Sequence, residues 1–163
     1  MDVAAERIRS IDPECVVRTY PEFFLPETQD RFDFAQFDYV VDAIDTVAGK
    51  IALVLACRAA GTPILCAMGT GNKLDPSALE VTDLSLTAVD PLARVMRREL
   101  KRRGVEHVPV VFSREKPIRP KETPEEQSGR RSVPGSSAFV PSAAGLLIAS
   151  VVVRELIGWV PEK

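Results

Sequence analysis

Histidine and cysteine are scarce in this chain of 163 residues, and each scarcity removes a class of function. The one histidine, His107, excludes a multi-histidine metal centre. Three cysteines, Cys15, Cys57 and Cys66, are odd in number, far apart and form no CxxC pair, which excludes a zinc knuckle and a disulfide framework. No uninterrupted apolar run reaches the roughly 18 residues of a membrane span. The first ten residues, MDVAAERIRS, contain acids and no apolar h-region, so they do not read as a signal peptide. Positive charge is not in excess either. Lys+Arg is 21 against 23 Asp+Glu, a net charge of -2, which speaks against a strongly basic nucleic-acid module and leaves room for a local basic face. What is present is a core: 45% of the residues are apolar, on a length that suits one domain. The expectation is a single-domain, soluble, cytoplasmic chain.

Periodicity and turn residues then divide the chain. Residues 2–11 read as the tail of a helix ended by Asp12-Pro13, and residues 15–20 (CVVRTY) as a short strand. A turn-rich stretch with Phe23, Phe24, Phe32, Phe34 and Phe37 follows. Residues 38–44 (DYVVDAI) are nearly continuously apolar, the pattern of a strand buried on both faces. Thr46 caps a mostly buried helix to about Ala60, with Gly61 as its C′ residue, and residues 63–68 (PILCAM) form the next strand. That strand–helix–strand order with short connections predicts a right-handed crossover and a parallel sheet. A turn (GTGNKLDP) precedes a strand within 79–86, Asp90-Pro91 opens a basic helix to about Arg103, stopped by Gly104, and residues 108–113 form another strand. Residues 115–136, dense in proline, glycine and charge, predict a mobile loop. Pro141 suits the first turn of a last helix over 142–157, apolar almost all round and therefore expected to be buried. A doubly wound fold normally opens with a strand, a glycine-rich turn and a helix in that order, and this chain opens mid-helix with no such nucleotide-binding turn before its first strand.

Few residues carry chemistry. Asp42 and Asp45 sit at the carboxyl end of a buried strand, where open α/β sheets bind ligands. A carboxylate there can hold magnesium on nucleotide phosphates, or Asp45 can simply cap the following helix. The GTGNK turn reads as a ligand-approach loop or a plain turn. Arg94, Arg97, Arg98, Lys101, Arg102 and Arg103 form a basic helix face that can track phosphates or stand as solvated surface. His107 reads as a surface residue, and Cys57 and Cys66 as small core hydrophobes.

Four segments, VVDAIDTVAGKIALVLACRAAGTPILCAMGTGNKLDP, LEVTDLSLTAVDPLARVMRRELKRRGV, VVFSREKPIRP and GSSAFVPSAAGLLIASVVVREL, lie in order at matching spacing. Together they resemble the tRNA threonylcarbamoyladenosine dehydratases, a branch of the ThiF/MoeB/HesA superfamily of ubiquitin-activating-type adenylating enzymes. The resemblance implies a Rossmann-like three-layer α/β fold with a mixed, mostly parallel sheet. It implies an ATP-dependent, tRNA-modifying ligase that activates the threonylcarbamoyl carboxylate and cyclises the base with loss of water. It makes Asp45 the catalytic residue tied to magnesium and the ATP phosphates, Asp42 its support at the same strand end, and Lys50 a neighbour of the phosphates. It places residues 135–142 (GSSAFVPS) near the substrate side, gives weight to Arg97, Arg98, Arg102 and Arg103 as tRNA contacts, and suggests a homodimer and a sulfur-transfer protein partner. The chain departs from the family pattern at its N-terminus: the GxGGVGS phosphate loop, the ribose-binding acid, and an ATP-contacting arginine and lysine have no counterpart. The expectation is therefore an N-terminally truncated fold, the C-terminal part of a ThiF-type domain, inactive alone.

Two other readings compete. An adenylyltransferase for a ubiquitin-like sulfur carrier would usually carry paired CxxC zinc ligands, which are lacking. A non-catalytic half-domain for dimerisation would leave an open sheet edge, as the missing first strands do.

Overall fold

The computed structural model describes residues 1–118 and 134–160. The expected loop at 115–136 therefore falls largely outside the described residues. Helix α1 (Asp2–Ile11) buries only Ala5. Four strands, β1 (Val40–Asp42), β2 (Ile64–Ala67), β3 (Leu79–Asp83) and β4 (Pro109–Ser113), form one sheet in the order β1-β2-β4-β3. β1 and β4 run parallel to β2, and β3 runs antiparallel to β4. Helices α2 (Val47–Ala60) and α3 (Pro91–Lys101) contribute to the core on one face, and α4 (Val140–Leu156) covers the other. The result is the mixed, mostly parallel three-layer α/β arrangement that the sequence predicts.

Local chemistry explains the helix limits. α2 ends where Gly61 takes φ 73°, a left-handed value that costs glycine little. α3 begins at Asp90, whose Oδ1 accepts from the Ala93 amide at 2.8 Å, with Pro91 in the first turn where no amide is needed. Packing then follows the apolar pattern. Ile51 and Val54 of α2 join Cys66, Met96, Leu100, Val110 and Phe112 in the main core. Leu53 and Cys57, on the flank of α2, meet Phe24, Phe32 and Phe34. α2 is buried on two sides, which is why its sequence is apolar almost all round.

Three expectations are corrected. Residues 15–20 are not a strand; Val16 is 80% exposed, and no described strand offers these backbone groups a ladder. β-propensity needs a neighbour before it becomes a strand. β1 is shorter than 38–44 and is an edge strand of the described sheet, with Val41 facing out, so it is not covered on both faces. α4 buries only the stripe Val140, Ala144, Ile148 and Val151, leaving Leu146 and Val153 exposed, because a single layer packs against it.

Candidate active site

The carboxyl end of β1 turns sharply into α2, and two acids on that turn have opposite environments. Asp42 is fully buried. Its Oδ1 accepts from Lys50 Nζ at 3.0 Å and from the Ile44 amide at 3.3 Å. Lys50 Nζ also donates to the Ile44 carbonyl at 3.0 Å. Asp45 stands exposed on the bend that follows, and the N-cap position of α2 belongs to Thr46. Asp45 is therefore not the cap, and its carboxylate faces solvent at a strand's carboxyl end. Magnesium takes one or two carboxylates and fills its other positions with waters and phosphates, so a single open carboxylate suits it. Among the described residues no three His, Cys, Asp or Glu cluster as a self-contained metal centre.

Lys50 is placed differently from its expected position beside phosphates. Its side chain is 1% exposed and its ammonium is spent on Asp42 and Ile44. The helix also presses directly on the turn. A Cβ at Gly49 would lie 2.5 Å from the Phe24 carbonyl oxygen and 2.8 Å from Thr46 Oγ1.

A second buried ion pair lies at the carboxyl end of β2, and the sequence does not reveal it. Lys73 Nζ lies 3.0 Å from Asp90 Oδ2 and donates to the Gly69 carbonyl at 2.7 Å, with both charged side chains 1% exposed. A Cβ at Gly69 would meet Asp90 Oδ2 at 2.9 Å, so the first glycine of the GTGNK turn makes room for this pair. The only signal in the sequence is an Asp-Pro helix start; its partner lies 17 positions earlier, beyond any local pattern. The same turn holds both flanks of the 119–133 segment. Asn72, at φ 58°, gives its amide to the Gly135 carbonyl (2.7 Å) and accepts from the Gly135 amide (2.8 Å), while its carbonyl accepts from Ile118. Glu115 accepts from the Leu74 and Asp75 amides, each at 2.9 Å to Oε2. Residues 135–142 thus start at the GTGNK turn and lead into α4.

The basic face of α3 is partly neutralised. Arg97 is half-buried and turns inward to the Thr87 carbonyl at 2.7 Å and to the Thr87 hydroxyl. Arg98, Arg102 and Arg103 converge on Glu99 at 3.0–3.1 Å. Hydrogen bonds from Arg103 and then Arg98 hold the Glu99 carboxyl below its ordinary range. Arg98 and Arg103 also edge a cavity of about 660 Å³ whose floor is Val47, Ile51, Leu55 and Val95. His107 is exposed, 3.5 Å from Asp83, away from these turns. Burial, then the nearby Asp42 charge, pushes the Cys57 thiol up to about 11, so it stays protonated and unreactive at neutral pH. Cys15 is exposed and Cys66 is buried.

Known proteins resemble this arrangement closely. The tRNA threonylcarbamoyladenosine dehydratase of Bacillus subtilis is 37% identical over 96% of this chain and 65% of its own length. The enzyme of the same name from Escherichia coli is 42% identical over 61% of the chain and 37% of its own length. A crystal structure of the E. coli tRNA N6-threonylcarbamoyladenosine dehydratase in complex with AMP superposes with a TM-score of 0.83 at 32% identity, covering 96% of this chain and 63% of that one. The same enzyme in complex with ATP gives 0.69 at 31% identity, over 94% and 65%. The chain thus spans about 65% of the Bacillus subtilis relative. No described helix is long and apolar enough to cross a membrane. The ThiF family model matches residues 1–163, and with the fold in agreement, this chain belongs to the ThiF family.

Proposed function

We propose that this chain forms the magnesium side of an ATP-dependent tRNA threonylcarbamoyladenosine dehydratase. The observation that carries the reading is Asp45: an open carboxylate at the carboxyl end of β1, on a turn that a buried lysine holds from behind. The names of the relatives, aligned over nearly all of the chain, supply the substrate class.

In this reading the threonylcarbamoyl carboxylate attacks the α-phosphorus of ATP, pyrophosphate leaves, and ring closure then expels AMP, so that the base loses one water overall. Magnesium, when bound, offsets the charge that develops on the phosphates. Asp45 holds that cation. Asp42 and Lys50 do not touch the nucleotide; they fix the turn that carries Asp45. The chain spans about 65% of the Bacillus subtilis relative, and the part not spanned is proposed to supply the groups that face the phosphates from the other side, so that the chain alone is inactive. The test is to supply tRNA bearing threonylcarbamoyladenosine, ATP and magnesium, and to follow loss of one water from the modified base by mass spectrometry. The chain alone should leave the base unchanged. A fusion that adds the part of the Bacillus subtilis relative not spanned by this chain should convert it. A correctly folded fusion without conversion would overturn the reading, and conversion by the chain alone would overturn the proposed inactivity.

The tRNA face is proposed to include Arg98, Arg102 and Arg103 but not Arg97. Reversing the three to glutamate should weaken tRNA binding and flatten its salt dependence, by roughly one counterion for each phosphate no longer neutralised. Unchanged salt dependence would remove this face. Pairing of two copies is supported by the exposed apolar residues of α4, Leu146, Val153 and Leu156. A monomer in sedimentation velocity would argue against it. A sulfur-transfer partner has no such support in the described residues.

A further inference from the structure

We infer that Lys50, with Gly49 before it and Asp42 and Cys66 beneath it, is a positioning residue that holds the 42–46 turn rigid and aims Asp45 outward. The inference rests on the reading of Asp45 as the cation ligand and adds the device that places it. Three observations carry it. Lys50 bonds both sides of the turn, to Asp42 Oδ1 and to the Ile44 carbonyl, each at 3.0 Å, from a site 1% exposed. The Ile44 amide closes the turn onto the same Asp42 oxygen, and the Lys50 amide bonds the Thr46 carbonyl. Gly49 brings the helix so close that any Cβ would strike the Phe24 carbonyl oxygen.

Asp42 has one oxygen left. Its Oδ2 is buried without a hydrogen-bond partner among the described residues, and an unpaired buried carboxylate oxygen is costly. Cys66 is its register partner on β2, fully buried on the neighbouring strand. In the parallel register the two side chains stand on the same face of the sheet. Burial and then the Asp42 charge hold the Cys66 thiol well above its ordinary range, so it adds no second negative charge beside Asp42. The lysine therefore serves the turn and not the phosphates, and the acid nearest the strand is sealed off so that only Asp45 meets solvent.

The test uses the 163-residue chain and NMR. A pinned, water-shielded Lys50 ammonium should give its own slowly exchanging proton signal at neutral pH in the unaltered chain; its absence would overturn the inference. The double variant Asp42→Asn/Lys50→Met keeps the volumes while removing both charges. In it the backbone order parameters of residues 43–45 should fall from about 0.85 to below about 0.6, with the sheet amides unchanged. Undiminished order at 43–45 would overturn the inference. Manganese ion alone, added as a paramagnetic probe, separates the two claims. Selective broadening of Asp45 in the parent chain, lost in the double variant, supports both. A rigid turn whose Asp45 signal ignores manganese would sink the cation role and leave the positioning intact.

Discussion

Replacing Lys73 by methionine is expected to lower the unfolding free energy by about 3–5 kcal/mol, the cost of stranding a buried partner charge. Asp90 would be left buried with one oxygen stripped of its ammonium, while the other still accepts from the Ala93 amide. The loss is large because water cannot replace the lysine: both side chains are 1% exposed and the Gly69 backbone closes over them. Domains of this kind hold only about 5–15 kcal/mol in total, so urea unfolding should move to a much lower midpoint. Three pieces would loosen together, since this pair ties the turn after β2 to the start of α3 and Lys73 also reaches the Ser113 carbonyl at the end of β4, at 3.5 Å. The double variant Lys73→Met/Asp90→Asn should recover much of the loss, because asparagine keeps the cap and no charge is stranded. A loss under about 1 kcal/mol in the single variant would mean that the site hydrates, and would remove the pair as a structural tie.

Replacing Asp45 by alanine should act on function and leave folding alone. In the fused enzyme, the rate of base dehydration is expected to drop by about 10²–10³, in line with removal of one electrostatic stabiliser from an active site. Thermal unfolding should barely move, because exposed substitutions usually change stability by no more than about 0.5 kcal/mol. The contrast lies three residues away. Asp42→Ala should cost stability first, since it strands a lysine that is 1% exposed. Rates of dehydration and denaturation midpoints for the two variants check the division. Asp45→Ala with full activity would remove this acid from the mechanism, and a large stability loss there would show that it is structural.

These two predictions draw on different levels of information. The place of Asp45 was legible in the sequence, because a run of apolar residues ending in DAIDT puts an acid where a parallel strand hands over to a helix; its role is the proposal made above. The helix limits at Gly61, Asp90-Pro91 and Gly104 were legible for the same reason: capping and left-handed turns are decided by residues within a few positions of each other. The alternation of strands and helices also follows from short-range pattern.

Tertiary structure alone decided the rest. Lys73 and Asp90 meet across 17 positions, and nothing local to either marks them as partners. Lys50 looked like a ligand for phosphate, and only the fold shows its ammonium turned back onto Asp42 and the Ile44 carbonyl. Arg97 belonged to the basic stripe by spacing, yet Thr87 draws it inward. The CVVRTY segment has the composition of a strand and pairs with no strand among the described residues, while β1, read as buried on both faces, lies at an edge of the described sheet. The division has one physical cause. Backbone conformation and capping are set by interactions between nearby residues, so they can be read along the chain. Ion pairing, strand neighbours and which face of a helix is covered depend on groups brought together by packing, and those are known only once the chain has folded.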